Sequence, residues 1–321
     1  MPEASDHPGS TDTSGEGGFR SGFVALLGRP NVGKSTLVNR MVGSKVTITS
    51  PRPNTTRRAL RGVLHRPGLQ AVFVDTPGLH RPRTALGERL NEHVAEALGD
   101  VDVVVAVLDA TAKVGPGDRL VLERAAAASG RSRPSGAPDL SHVLVAVNKV
   151  DRAQKAQVLE ELDTAHTVLE GADRDGTVGR GAEYFPVSAR RGDGVDELVE
   201  AVLARLPAGP PYFPEDTVAD VSEAFWVAEL VREQLLARMH EELPHSIACR
   251  VTEWEWPRVR VEIVVERASQ KGMVIGRGGA VLKEVGAAVR SQMAPGAFLE
   301  LHVRVDRRWQ QRPDAIERLG Y

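Results

Sequence analysis

Residues Leu26–Leu37 read LLGRPNVGKSTL. The segment Gly28–Thr36 (GRPNVGKST) fits the pattern G-x-x-x-x-G-K-[ST], with an apolar run before it and an amphipathic stretch after it. A glycine loop between a strand and a helix lets consecutive backbone N–H groups turn toward a phosphate. Lys34 adds charge for β- and γ-phosphates, and the Ser35 hydroxyl is a natural Mg²⁺ ligand. Gly28, Arg29, Pro30, Asn31, Val32, Gly33, Lys34, Ser35 and Thr36 are therefore expected around a triphosphate.

Working outward, Phe23–Leu27 (FVALL), Ala71–Val74 (AVFV), Val103–Leu108 (VVVAVL) and Val143–Val147 (VLVAV) are near-continuous apolar runs. Parallel strands covered by helices on both faces have this character. Ala85–Leu98 (ALGERLNEHVAEAL) carries apolar residues at helical period. The pattern predicts a doubly wound α/β domain with a mainly parallel sheet over residues 20–206. The polar Gly/Ser/Thr-rich residues 1–19 are expected to be a disordered tail. Ser129–Ser141 and Glu170–Ala182, both Gly/Ser/Arg-rich, read as surface insertions. The proline-dense PAGPPYFPED (Pro207–Asp216) can continue neither a helix nor a central strand. It marks a linker, residues 207–219, before a second domain at 220–321.

Three more signatures follow in order, each at a strand end. In DTPGL (Asp75–Leu79), Asp75 is placed for the Mg²⁺ shell and the Gly78 N–H for a γ-phosphate, with Thr76, Pro77 and Leu79 alongside. In NKVD, Asn148, Lys149 and Asp151 suit a base pocket, because the aspartate can accept from guanine N1–H and N2–H₂. Adenine has no such donor pair. In SAR, Ser188 and Ala189 bring a backbone N–H toward guanine O6. The four together predict GTP and GDP as ligands.

Composition restricts the alternatives. A chain of 321 residues with 41% hydrophobic content can fill two cores, and a net charge of −2 leaves no global field toward nucleic acid or membrane. The single cysteine, Cys249, excludes an intramolecular disulfide, fits a reducing cytoplasm and is expected to be buried and inert. The longest apolar run is a strand's length, far below the ~20 residues of a membrane helix.

The second domain opens with an amphipathic stretch, Val221–Met239. Two β-runs follow, Ser246–Glu253 and Arg258–Glu266, then a loop within MVIGRGGAVLK (Met273–Lys283), a helix at Ala280–Gln292 and a strand at Phe298–Val305. The loop has no Lys-Ser/Thr pair after its glycines, so it is not a second triphosphate site. It matches I-G-x-x-G, the clamp of a KH domain on single-stranded RNA, in an α-β-β-α-α-β order that resembles the type II form. Lys271, Ile275, Gly276, Arg277, Gly278, Gly279 and Lys283 are the expected RNA contacts. From Gln270 to Tyr321 there are nine Lys/Arg and five Asp/Glu, a local charge of +4. Arg307, Arg308 and Trp309 add charge and a ring, the latter expected to pack rather than stack on a base.

The GTPase signatures resemble the translation-factor-related GTPases. That resemblance implies that a threonine of PNTTR (Pro53–Arg57) senses the metal in the first switch, with Thr56 favoured and Thr55 the alternative. Ras-type GTPases carry a water-orienting glutamine where this chain has Leu79. Slow intrinsic turnover is expected, and His80 reads as an exposed switch residue. The class resemblance also suggests Asn31 as part of a K⁺ site, which would leave Lys34, Thr56 and Asn31 as the catalytic set. Ser35, Thr56 and Asp75 would form the metal set.

Over Phe19–Tyr321 the whole arrangement resembles the Era family of bacterial GTPases. The resemblance implies a monomer that binds 16S ribosomal RNA near its 3′ end at a GAUCA-containing strand and acts in small (30S) ribosomal subunit assembly. It also implies a cytoplasmic location with peripheral attachment to the inner membrane. The alternative is a membrane-associated signalling GTPase whose second domain binds protein or lipid.

Overall fold

Helix–strand alternation in the first two thirds of the chain gives way, in the computed structural model, to a smaller α+β unit. The structure describes residues 18–79, 82, 84–99, 101–128, 139–170, 181–239 and 243–321. Most of the expected N-terminal tail, most of both insertions, and His80 lie outside them.

The first unit runs β1 (Arg20–Gly28), α1 (Lys34–Val42), β2 (Leu60–Arg66), β3 (Leu69–Asp75), α2 (Ala85–Ala97), β4 (Val103–Asp109), α3 (Pro116–Ala127), β5 (Val143–Asn148), α4 (Lys155–Glu170), β6 (Glu183–Val187) and α5 (Val195–Leu203). Among the described residues its strands lie in the order β2-β3-β1-β4-β5-β6. All neighbours are parallel except β2 and β3, an antiparallel pair at the edge. Val103–Leu108 is buried throughout, which explains its unbroken apolar run: helices cover both sides of that strand. β2 was not legible as a strand. Its sequence LRGVLHR mixes exposed arginines with buried leucines because an edge strand needs only partial cover.

The second unit comprises α6 (Glu223–Arg238), α7 (Leu243–Ser246), β7 (Ala248–Glu255), β8 (Arg258–Val265), α8 (Ala268–Ile275), α9 (Ala280–Arg290), β9 (Phe298–Val305) and α10 (Pro313–Arg318). The expected order is present, with the short α7 and α10 added. β7 and β8 are antiparallel, whereas β8 and β9 are parallel. Inward residues Val259, Val261, Ile263 and Leu299 meet Leu230, Val231 and Leu235 of α6 and Val285 and Val289 of α9.

The segment between the units is bonded along the first sheet rather than hanging free. Ser21 N donates to Pro207 O at 3.1 Å, Val63 N to Val218 O at 2.9 Å, and the Gln70 side chain serves Tyr212 and Phe213. At the far end of the chain Trp309 is fully buried, donates Nε1–H to Ser246 O at 2.9 Å and stacks on Tyr321. Leu86 and Leu90 of α2 join that cluster with Ile316 and Leu319, so apolar packing ties the two units together. No helix among the described residues is long and apolar enough to cross a membrane.

Burial pushes the Cys249 thiol up to about 12, which leaves almost no thiolate at neutral pH. An aromatic disulfide reagent at pH 8 should leave the native protein unmodified and label one thiol per chain in urea. Labelling of the native protein within minutes would contradict this packing. Trp309→Ala should cost about 3–5 kcal/mol, read as a lower urea midpoint, because ring and hydrogen bond are lost together.

Candidate nucleotide site and candidate RNA loop

The C-terminal ends of β1, β3 and β5 and the start of α1 converge on a cleft of about 570 Å³. It is lined by residues from all four signatures and from the segment 49–56. A larger cleft of about 1060 Å³ lies between the units against α2 and the connecting segment, and it holds none of the signature residues.

The first loop is built by backbone geometry. Asn31 and Gly33 have φ of 65° and 102°, the left-handed conformation that turns the chain before α1. A side chain at Gly33 would also collide with Asn148 Nδ2, so the glycine is required twice over. Lys34 folds back over the loop, with Nζ at 3.0 Å from both Gly28 O and Arg29 O. Burial pushes its ammonium down to about 8, against the pull of Asp75.

Asp75 is fully buried, and one oxygen collects three hydroxyls. Oδ2 accepts from Ser35 at 2.7 Å, Thr47 at 2.9 Å and Thr56 at 3.1 Å, while the Ser35 and Thr56 hydroxyls are 2.9 Å apart. Burial raises its carboxyl above the ordinary range, opposed by Lys34 and by those hydroxyls. Asp75 Oδ1 is buried with no hydrogen-bond partner among the described residues. A hard-oxygen cluster with a spare carboxylate lone pair beside a phosphate loop suits Mg²⁺. The two candidate switch threonines now separate. Thr56 points to Asp75, whereas the Thr55 hydroxyl donates to Arg52 O at 2.7 Å.

Several signature residues brace the cleft from behind. Thr76 Oγ1 donates to Leu26 O at 2.5 Å, and Leu79 N to Gly28 O at 3.1 Å. Gly78 rests on Pro30, where a Cβ would come within 2.6 Å of the proline nitrogen. Val32 is core, and Arg29 turns away to Asp118 at 2.7 Å. Pro77, like Thr76 and Leu79, is not part of the cleft lining.

Asn148 links two motifs, giving Nδ2–H to Val32 O at 2.8 Å and accepting Ala189 N–H at 3.0 Å. The Ala189 N–H, one of the backbone donors of the SAR motif, is thus engaged by that amide. Lys149, at φ 68°, bonds Asn31 O at 2.7 Å and Asp109 Oδ2 at 2.5 Å. Ser188 Oγ donates to Asp151 Oδ1 at 2.8 Å, and this bond is the main cause holding the Asp151 carboxyl below its ordinary range. Sequence reading missed Thr47, which is fully buried, and Asn39, whose amide oxygen fixes Val46 N and Thr47 N. It also missed Asp109. The Asp109 signal was present as an acidic residue closing a buried strand.

The second loop lies between α8 and α9 on the other unit. Gly276, Gly278 and Gly279 have φ of 75°, 59° and 80°, and a Cβ at Gly276 would meet Val281 at 2.6 Å. Lys271, Arg277 and Lys283 are exposed, and Ile275 is half-buried at the helix end. These are the expected RNA contacts brought onto one helix–loop–helix.

A nucleotide-triphosphate cleft on a doubly wound sheet, joined to a KH-type unit, defines a P-loop GTPase with a C-terminal nucleic-acid-binding domain. Residues 23–149 match the family model described as 50S ribosome-binding GTPase, and residues 242–310 match the KH domain model. The chain is 44% identical to GTPase Era of Mycobacterium tuberculosis (94% of this chain, 99% of that one) and 43% identical to GTPase Era of Mycobacterium avium, with the same coverage. A solved structure of an Aquifex aeolicus Era point variant bound to GDP·AlF₄⁻ superposes with a TM-score of 0.82 at 34% identity. A structure of Era with MgGDPNP and nucleotides 1506–1542 of 16S ribosomal RNA gives the same values, and each covers 94% of this chain and 99% of its own. The chain belongs to the Era family of GTPases.

Ser188→Ala removes the bond that orients Asp151. It should weaken mant-GDP binding about five- to tenfold, the worth of one typical intramolecular hydrogen bond. Unchanged affinity would show that Asp151 is held without Ser188.

Proposed function

We propose that this protein is a Mg²⁺-dependent GTP switch that clamps single-stranded RNA near the 3′ end of 16S ribosomal RNA and acts in small-subunit assembly. The observation that carries this reading is the meeting of four guanine-nucleotide signatures in one cleft whose first-switch segment lies against the RNA-loop domain. The Era structure with MgGDPNP and a 16S fragment, at 34% identity over nearly the whole chain, supports it.

In this reading the loop N–H groups and Lys34 hold the phosphates, and Asp151 selects guanine. Ser35, Thr56 and Asp75 would hold Mg²⁺, which when bound would supply positive charge to the phosphates. Thr56 and the Gly78 N–H are the groups placed to distinguish GTP from GDP. Leu79 has no group to orient water, so intrinsic turnover is slow. Asn31 donates to Pro51 O at 2.9 Å and so joins the phosphate loop to the first switch, where K⁺ would add charge to the transition state. Hydrolysis should then run faster in K⁺ than in Na⁺ at equal ionic strength, and equal rates would remove that ion from the account.

Ordering of the switch by GTP shifts the KH domain toward its RNA-binding arrangement, and hydrolysis releases it. The protein works in the cytoplasm as a monomer, with any membrane contact peripheral. A fluorescent oligonucleotide of the 16S 3′ end containing GAUCA tests the proposal. It should bind at least tenfold tighter with a non-hydrolysable GTP analogue than with GDP, and Arg277→Asp with Gly278→Asp should abolish the binding. Indistinguishable affinities in the two nucleotide states would remove the switch model.

A further inference from the structure

The segment between α1 and β2 spends much of its length against α6, the first helix of the KH-type unit. Lys45 Nζ contacts Glu233 Oε2 at 2.5 Å and Gln292 Oε1 at 2.8 Å. Thr49 N donates to Glu233 Oε1 at 3.0 Å, and Arg52 Nη2 to Met239 O at 3.0 Å. At the other end of the segment, Arg232 Nη2 donates to Thr55 O. Arg232 is completely buried and is itself fixed by Glu229, through Nε to Oε1 at 2.7 Å and Nη2 to Oε2 at 2.5 Å. Two consecutive residues of one helix, Arg232 and Glu233, therefore hold the segment at Thr55 and further upstream at Lys45 and Thr49.

Arg57 completes the arrangement. Its guanidinium leaves the GTPase unit, lies 5.4 Å from the Trp309 ring centroid and 5.3 Å from that of Tyr321, and donates to Ile247 O at 2.7 Å. Residue 55 is thus held by its carbonyl and residue 57 by its side chain, both by the KH-type unit. Residue 56 between them points its hydroxyl at Asp75 and Ser35. A peptide fixed on both sides of one residue leaves that side chain little freedom to leave its site.

From this geometry we infer that Arg232, with Glu229 and Glu233, forms a clamp of positioning residues for GTP hydrolysis, supplied by the KH domain and acting through Thr55 and Thr56. The inference rests on the reading of Thr56 as the residue that senses Mg²⁺ and the γ-phosphate. Neither Arg232 nor Glu233 touches the nucleotide cleft, so neither is a catalytic residue. The GTPase centre is complete only when the KH domain is docked, and the chain carries its own positioning element in cis.

A clamp of this kind has a signature that loss of stability lacks. GDP does not need Thr56, so the clamp should matter for the triphosphate and for kcat but not for GDP. Two variants test it: Glu229→Gln with Arg232→Met, which removes both buried charges at similar volume, and Glu233→Gln, an isosteric change that removes the charge facing Lys45. Each should lower kcat at saturating GTP, and the affinity for a mant-labelled non-hydrolysable GTP analogue, by about tenfold or more. The affinity for mant-GDP should stay within about twofold of the parent, and Arg232→Lys, which keeps a charged donor, should retain more kcat than the double variant.

Parental kcat and analogue affinity in folded variants would overturn the inference. So would an equal loss of GDP and analogue affinity. Should thermal melting show the double variant unfolded, Glu233→Gln decides alone. Thr56→Ala is the control for the underlying reading. If it leaves analogue affinity unchanged, the assignment of Thr56 fails, whereas a silent clamp beside a sensitive Thr56 rejects the clamp only.

Discussion

A buried carboxylate must be neutralised, protonated or hydrogen-bonded, and Asp75 meets this constraint by drawing in three separate stretches of chain. Ser35 comes from the phosphate loop, Thr47 from the exit of α1, and Thr56 from the first switch. Each hydroxyl lowers the cost of burying that charge, and each is thereby brought beside the phosphate loop. The same requirement that closes the polar core of the first unit also assembles its site. Lys34 is the nearest counter-charge and sits within the same desolvated pocket.

The contact between the two units is chemically mixed, and the mixture has consequences. Leu86 and Leu90 of α2 with Ile316 and Leu319 provide apolar area, which is indifferent to charge. Arg57 and Arg232 are different. Both are buried cations that cross from one unit to the other, and burying a guanidinium is costly unless its donors are satisfied. Burial lowers the pKa of Arg57, with Tyr321 as its leading compensation, whereas Glu229 offsets the burial of Arg232. Such contacts are sensitive to small displacements. A shift of the first switch at Thr56 would move the Thr55 carbonyl and the Arg57 side chain together, and the KH-type unit would have to follow or release them.

Much of the fold could be read from the sequence because its signals are local. Val103–Leu108 and Val143–Val147 are buried on both faces and announce central parallel strands, and Phe298–Val305 was bounded to the residue. β2 escaped because an edge strand with exposed arginines has no apolar run. The phosphate loop was legible because backbone conformation demands glycine at fixed spacing, and Asn148, Lys149 and Asp151 do line the same cleft. Thr47, Asn39 and Asp109 were not, since their roles depend on which distant loops the sheet brings together. Arg232 was least legible of all. A basic residue inside an amphipathic helix reads as a solvated face, and only the docked structure shows it fully buried against Thr55. The expectation that Trp309 packs was correct, and its partners, Ser246 and Tyr321, follow from the C-terminal turn.

In the proposed mechanism the γ-phosphate is felt on the RNA-binding unit through residues 45–57 and α6, whose contacts join the two units. Hydrogen–deuterium exchange with and without the γ-phosphate tests it most directly, because α6 peptides and those of residues 45–57 report separately. Exchange should be slower in both regions with a non-hydrolysable GTP analogue than with GDP. Protection confined to residues 45–57, with α6 exchanging identically in the two states, would contradict the coupling.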